Sequence, residues 1–134
     1  MGDTTTIPAD FEDLLQSGTA ILATLNADGQ PQLTAIWFLY EDGKVCISLN
    51  TGRHKYKNLL RDPRATFFIL DPENPLRSLE IRGTVSVEDD PGYVAADRVG
   101  AKYGGADLRT FDEPGATRAF LTLNPTKVLG NKIG

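Results

Sequence analysis

The chain has 134 residues, with 14 Lys and Arg against 18 Asp and Glu, a net charge of −4 and a pI near 4.9. That length fits one domain spanning 1–134, large enough to bury roughly two-thirds of the surface its unfolded form exposes. The acidic balance argues against nucleic-acid binding, which needs a basic footprint, and no apolar run approaches the ~20 residues that span a bilayer.

Pro8 to Ser17 (PADFEDLLQS) is expected to be a short helix with Phe11, Leu14 and Leu15 as its apolar stripe and Gly18 as its stop. TAILATLN (19–26) is rich in β formers and is followed by the Asp-Gly turn signal of ADGQP (27–31). QLTAIWFLY (32–40) is the second expected strand, EDGK (41–44) another turn, and VCISLN (45–50) the third strand, giving a meander of hairpins. TGRHKYKNLLRDPRA (51–65) predicts a helix with Tyr56, Leu59 and Leu60 inward and Pro63 closing it. RATFFIL (64–70) is a buried strand, and DPENP (71–75) a Pro-rich loop.

In LRSLEIRGTVSVE (76–88), Leu79, Ile81, Gly83, Val85 and Val87 face one way and Glu80, Arg82, Thr84 and Ser86 the other. Asp90 followed by Pro91 is an N-cap with Pro at the first helical position, and that helix runs to about Tyr103 before Gly104 and Gly105. DLRTFDEPGA (107–116) is expected to be loop, and TRAFLTLNPTKVLG (117–130) a last strand bent near Pro125. Six strands and about three helices predict a mainly β fold: a closed or nearly closed antiparallel barrel with a Greek-key path.

The N-terminal MGDTTTIPAD lacks a basic segment followed by an apolar one, so no signal peptide is expected. The expected compartment is the cytoplasm, with which a lone cysteine, Cys46, is compatible. One His and one Cys do not build the usual zinc sites, so no metal is expected. A Ser–His–Asp triad would have to use His54 and a Cys–His pair would need Cys46 with His54; nothing local supports either. Cys46 sits in an apolar strand and is expected to be a core thiol. If the chain is an enzyme, a cofactor carries the chemistry.

The cations carry the functional signal. Arg53, Lys55, Lys57, Arg61 and Arg64 are five of the fourteen, within twelve residues. Three of them open a helix whose start already carries partial positive charge, where each cation costs roughly 0.3–1 kcal/mol. A solvated basic face is the bland reading of such a cluster. A bound anion is the alternative that makes the placement favourable, because free N–H groups and the helix dipole already attract phosphate. Arg offers a bidentate fork and Lys a point charge. Thr51 offers a hydroxyl, and Gly52 lets the backbone approach closely. The GxxxxGK[ST] P-loop pattern is absent.

ILATLNADGQPQLTAIWF, NTGRHKYKNLLRDPRATFFILDPENP and LEIRGTV resemble the split-barrel flavin and deazaflavin proteins related to pyridoxamine 5′-phosphate oxidase, and among them the subfamily that uses the deazaflavin coenzyme F420. The resemblance runs from Phe11 to about Gly130. The run Arg53 to Arg64 is fairly specific to that subfamily, whereas the DGQPQLT hairpin is shared more widely. The resemblance implies a six-stranded split barrel, a homodimer with cofactors at its interface, and hydride transfer from reduced F420 to a small conjugated organic substrate.

It also implies that Arg53 and Lys55 grip the cofactor phosphate, that Lys57 supports them or reaches an anionic tail, and that Ser48 lies beside the ring. Gln32 and Thr34 would flank the cofactor from the second strand, where Gln32, Thr34, Ile36 and Phe38 share one face. FMN in the same fold is an alternative, as is a non-catalytic carrier or sensor of the cofactor. The sequence departs from the family pattern at Leu76 and Ser78, where relatives often carry aromatics, and at Gly130-Asn131, where many carry Gly-Trp. Trp37 is expected to be core or a dimer contact more than a cofactor border. Tyr93 and Tyr103 are expected to pack helices, Arg82 to form a surface or interface ion pair, and Glu88, Asp89 and Asp90 to make a cap and a solvated turn.

Overall fold

The computed structural model describes residues 5–16 and 18–132. A 3-10 helix, Ala9–Leu15, buries the expected Phe11, Leu14 and Leu15; the expected end at Ser17 lies outside the described residues. Seven strands follow: β1 (Ala20–Leu25), β2 (Pro31–Ile36), β3 (Leu39–Glu41), β4 (Lys44–Asn50), β5 (Arg64–Leu70), β6 (Arg77–Asp89) and β7 (Arg118–Lys132). Two α-helices interrupt them, α1 (His54–Arg61) and α2 (Val94–Lys102), with short 3-10 turns at Pro91–Tyr93 and Leu108–Phe111. Among the described residues no helix is long and apolar enough to cross a membrane.

All strand pairs are antiparallel, in the order β2-β1-β5-β6-β7-β4-β3. The two outermost strands, β2 and β3, are separated in the chain only by Trp37 and Phe38. Ile36 and Leu39 therefore lie at most ~11 Å apart, so the opposite edges of the sheet are drawn together and it curls into a split barrel. This is where the structure differs from the six expected strands. The run 32–40 is two strands, because the chain leaves β1 at Ile36 and pairs with β4 from Leu39, Leu39 standing opposite Cys46. The Asp42-Gly43 turn that joins β3 to β4 has φ of 53° and 74°, the type I′ geometry that matches strand twist.

The barrel interior holds Leu22, Ile36, Phe38, Ile47, Phe67, Leu79, Ile81 and Leu121 among others, with Phe38 and Phe67 edge to face at 4.9 Å. A second apolar cluster, Leu39, Cys46, Ala96, Val99 and Leu108, lies outside the barrel under α2. The alternation of β6 is as expected at Leu79, Ile81 and Gly83, which are buried. Gly83 admits no side chain, since a Cβ there would lie 2.1 Å from the Asn124 carbonyl oxygen. Beside it the register slips, Arg82 pairing with Lys127 and Gly83 with Pro125, so Thr126 bulges out and β7 bends near Pro125.

Both helices depart from the expected detail. In α1 the buried residues are Lys55, Asn58 and Leu59, while Tyr56 is half-buried and Leu60 is 61 % exposed. The apolar stripe is displaced because this helix turns a polar face towards the polar start of β2. Asp90 does cap a helix, but four residues downstream. Pro91–Tyr93 makes its own turn, with φ positive at Gly92 and Tyr93, and the Asp90 carboxylate accepts from Ala95 N and Ala96 N of α2, both at 2.9 Å.

Candidate functional site

The start of α1 has no capping side chain and no acid in its first turn. In front of it lies a cavity of about 300 Å³. β2 brings Ala35 and Ile36, and Trp37 follows them. β4 brings Ser48 and Asn50, the loop before α1 brings Arg53, α1 brings Lys55, and β7 brings Arg118. Val99 of α2, then Leu108, Phe111 and Asp112 from the segment before β7, stand in the wall as well.

Lys55 is 5 % exposed, and its Nζ donates to Thr34 Oγ1 at 3.0 Å. Burial, with a smaller contribution from Arg53, lowers its pKa to about 8. The Arg53 side chain is exposed and lines the same cavity. Among the described residues no carboxylate pairs with either cation, whereas Arg64, Arg77, Arg82, Arg98, Arg109 and Arg118 all have acidic partners. A buried cation is costly to leave without a counter-charge. Arg53 and Lys55 thus face one cavity at an uncapped helix start with no acidic partner among the described residues.

Opposite them, Arg118 and Asp112 form a buried ion pair at 2.8 Å, with side chains 8 % and 4 % exposed. Burial pushes the Asp112 carboxyl up, but hydrogen bonds from Arg118, Tyr93 and Asn50 outweigh it and hold the pKa at about 2. Arg118 Nη1 also donates to Ser48 Oγ at 3.2 Å. The aromatic wall is built from Trp37, which stacks on Tyr103 with centroids 4.5 Å apart and planes 4° from parallel, and from Phe111, edge-on to Trp37 at 6.0 Å. The cavity therefore has two cations at one end, the Ser48–Arg118–Asp112 group in the middle and the aromatic rings of Trp37 and Phe111 on its wall.

Of the expected site residues, Ser48, Arg53 and Lys55 line the cavity, and Thr34 adjoins it through Lys55. Gln32 lies further along β2, where its Oε1 is within 3.4 Å of Asn58 Nδ2. Thr51 is not in the wall; its Oγ1 is 2.7 Å from Thr117 Oγ1. Lys57 is exposed and outside the wall. The other two cations of the cluster are engaged elsewhere, Arg61 with the Leu25 carbonyl and Asn58 Oδ1, and Arg64 with Asp62. His54 contacts Asn26 Oδ1 at 2.9 Å on the surface and Cys46 is buried, so they form no catalytic pair.

Sequence reasoning missed Asn50, Asp112 and Arg118. Asp112 lies 62 residues from Asn50, and Arg118 lies 70 from Ser48, separations at which no periodicity or motif connects them. A second cavity, about 450 Å³, lies over β1, β5 and β6, but its two cations, Arg64 and Arg82, are already paired with Asp62 and Glu80.

A family model described as Pyridoxamine 5'-phosphate oxidase matches residues 7–132. Among solved structures, an F420 reductase is 31 % identical with a TM-score of 0.80, the match covering 92 % of this chain and 98 % of that one. A conserved hypothetical protein of Mycobacterium tuberculosis is 23 % identical with a TM-score of 0.77 (98 % and 88 % covered). A putative pyridoxamine 5'-phosphate oxidase from Listeria innocua is 18 % identical with a TM-score of 0.68 (90 % and 94 % covered); these last two speak to the fold alone. With the family model matched over nearly its whole length, the chain belongs to the pyridoxamine 5′-phosphate oxidase-like split-barrel family.

Proposed function

We propose that the chain is an F420-dependent reductase that binds the deazaflavin in the cavity between α1, β2 and β4. When bound, the group supplies hydride-transfer chemistry toward a small conjugated organic substrate. The observation that carries the reading is Lys55: a buried ammonium with one hydrogen bond, to Thr34, no carboxylate partner among the described residues, and Arg53 beside it. A phosphate there accepts charge-assisted bonds and offsets the cost of the buried cation. Trp37 and Phe111 offer flat apolar surface to the ring and exclude water from it. The 31 % identity to an F420 reductase supports the choice of cofactor.

A second reading, FMN in the same cavity, is favoured by one observation. Arg61 and Arg64 are tied to Leu25, Asn58 and Asp62, so of the other three cations in the 53–64 cluster Lys57 is the one left to meet a longer anionic tail. On either reading the protein works as a homodimer in the cytoplasm, and Leu33 and Leu60, 62 % and 61 % exposed, are apolar surface for a second copy to cover.

Reconstitution with F420 and FMN in parallel tests the choice: tighter binding of F420, with turnover, is expected. Tighter FMN binding with turnover moves the assignment to FMN, and tight binding without hydride transfer to a substrate panel makes the chain a carrier. Arg53→Ala with Lys55→Ala is expected to weaken cofactor binding more than about a hundred-fold, since each charge-assisted contact contributes roughly 1.5–3 kcal/mol. Unchanged binding in a folded double variant rejects this cavity as the phosphate site.

A further inference from the structure

Building on the cofactor reading above, we infer that the Asp112–Arg118 pair turns the Ser48 hydroxyl proton toward the cavity, where it donates to an acceptor oxygen of the ring, a carbonyl conjugated with it. The argument is an inventory of protons. Arg118 Nε and Nη2 donate to the two Asp112 oxygens at 2.8 and 3.0 Å. Its Nη1 donates to Ser48 Oγ at 3.2 Å and to the Ser48 carbonyl at 3.4 Å. A guanidinium has no acceptor and stays charged, so Ser48 Oγ accepts from it and the Ser48 proton points elsewhere. Among the described residues no protein acceptor takes that proton, and Ser48 lines the cavity.

The nearby carboxylate does not compete for the ligand. Asp112 also accepts from Tyr93 Oη at 2.6 Å and Asn50 Nδ2 at 3.0 Å, so its oxygens are engaged by three partners. The ion pair is neutral as a unit and leaves the anion to Arg53 and Lys55. An acceptor oxygen at this point satisfies the Ser48 proton, which a ring N–H in the same place would leave without a partner. The pair thus favours a ring edge that carries a carbonyl against β4. Ser48 contacts the ligand; Asp112 and Arg118 are positioning residues.

The test loads the full-length protein with F420 and with FMN separately, and reads the ring carbonyl stretch by difference infrared spectroscopy alongside affinity by fluorescence. Ser48→Ala is expected to raise the carbonyl frequency and weaken binding roughly 3- to 10-fold, and Ser48→Thr, which keeps the hydroxyl, to restore both. Asp112→Asn is expected to move the band part of the way. Should that variant not fold, the two Ser48 variants decide alone. A wild type that binds cofactor, with band and affinity unmoved in Ser48→Ala, overturns this inference and leaves the cofactor reading standing. A wild type that binds neither cofactor removes both.

Discussion

Lys55 Nζ of α1 and Thr34 Oγ1 of β2 lie 3.0 Å apart, a hydrogen bond between a buried cation and a neutral hydroxyl. Burial and Arg53 set the folded pKa near 8, below the ordinary 10.5. The unfolded chain therefore holds this proton over a range in which the folded chain has released it, and the stability of the ligand-free protein rises between about pH 8 and pH 10.5. Ligand binding runs the opposite way. An anion needs the charged form, so affinity falls from about pH 8 upward, by at most roughly tenfold per pH unit. Urea unfolding and cofactor titration at pH 7, 8, 9 and 10 check both limbs, and Lys55→Met is expected to flatten each. A wild type as flat as that variant in both measurements rules out a titrating Lys55 in the site.

The Asp112–Arg118 pair predicts a separate acid limb. Asp112 titrates near 2 when folded against 3.8 as its ordinary value, so its contribution is complete above about pH 4 and is lost as the pH falls towards 2. Asp112→Asn removes that limb and leaves the Arg118 guanidinium buried without its counter-charge, at a cost of about 3–5 kcal/mol. Replacing both residues, Asp112→Leu with Arg118→Met, is expected to cost less than the single change, because no uncompensated charge remains. Denaturation midpoints at pH 7 rank the three proteins; a double variant less stable than the single one would contradict the charge argument.

The two parts of the site differed in how far the sequence revealed them, and the reason is physical. Arg53 and Lys55 stood out because cations at a helix start oppose the dipole, a conflict visible within a few residues. Asp112 and Arg118 create no local conflict: an acid in a loop and a base at a strand start are ordinary, and their pairing appears only once β7 lies beside β4. The strand count follows similar logic. Ile36, Phe38 and Tyr40 face the barrel core, and Trp37 and Leu39 the cluster under α2, so alternation passes unbroken through the point where the chain changes its hydrogen-bonding partner. Side-chain period records faces and carries no record of which strand is the neighbour. In α1 the apolar letters pointed to Tyr56 and Leu60, while the fold chose Lys55 and Asn58 because the groups awaiting them on β1 and β2 are polar.

Tyr103 is expected to hold the crossing between the barrel edges. Its Oη donates to the Gly18 carbonyl at 2.7 Å and accepts from Phe38 N at 3.1 Å, just where β2 has ended and β3 has not begun. Tyr103→Phe keeps the stack on Trp37 but strips Phe38 N of that acceptor, costing about 1–3 kcal/mol. Faster amide exchange at Phe38, with the Trp37 environment little changed by fluorescence, is the expected pattern. Wild-type protection at Phe38 would show that the crossing is held by other contacts.

Asn58 is fully buried and joins α1 to the first hairpin. Its Nδ2 donates to Thr24 Oγ1 at 3.1 Å and Asn26 Oδ1 at 3.0 Å, while its Oδ1 accepts from Arg61 at 2.9 Å. Asn58→Asp keeps the shape and the Arg61 acceptor but sets a carboxylate oxygen against Asn26 Oδ1, which also meets His54 Nε2 at 2.9 Å. Two acceptors face each other in a buried place, so a loss of at least about 2 kcal/mol is expected at pH 8. The loss should shrink in acid, because burial raises the introduced carboxyl's pKa and its protonated form can again donate to Asn26. Unfolding measured at pH 8 and pH 5 separates this from a packing defect, which would not change with pH, and a variant as stable as wild type at pH 8 would dissolve the donor role given to Asn58.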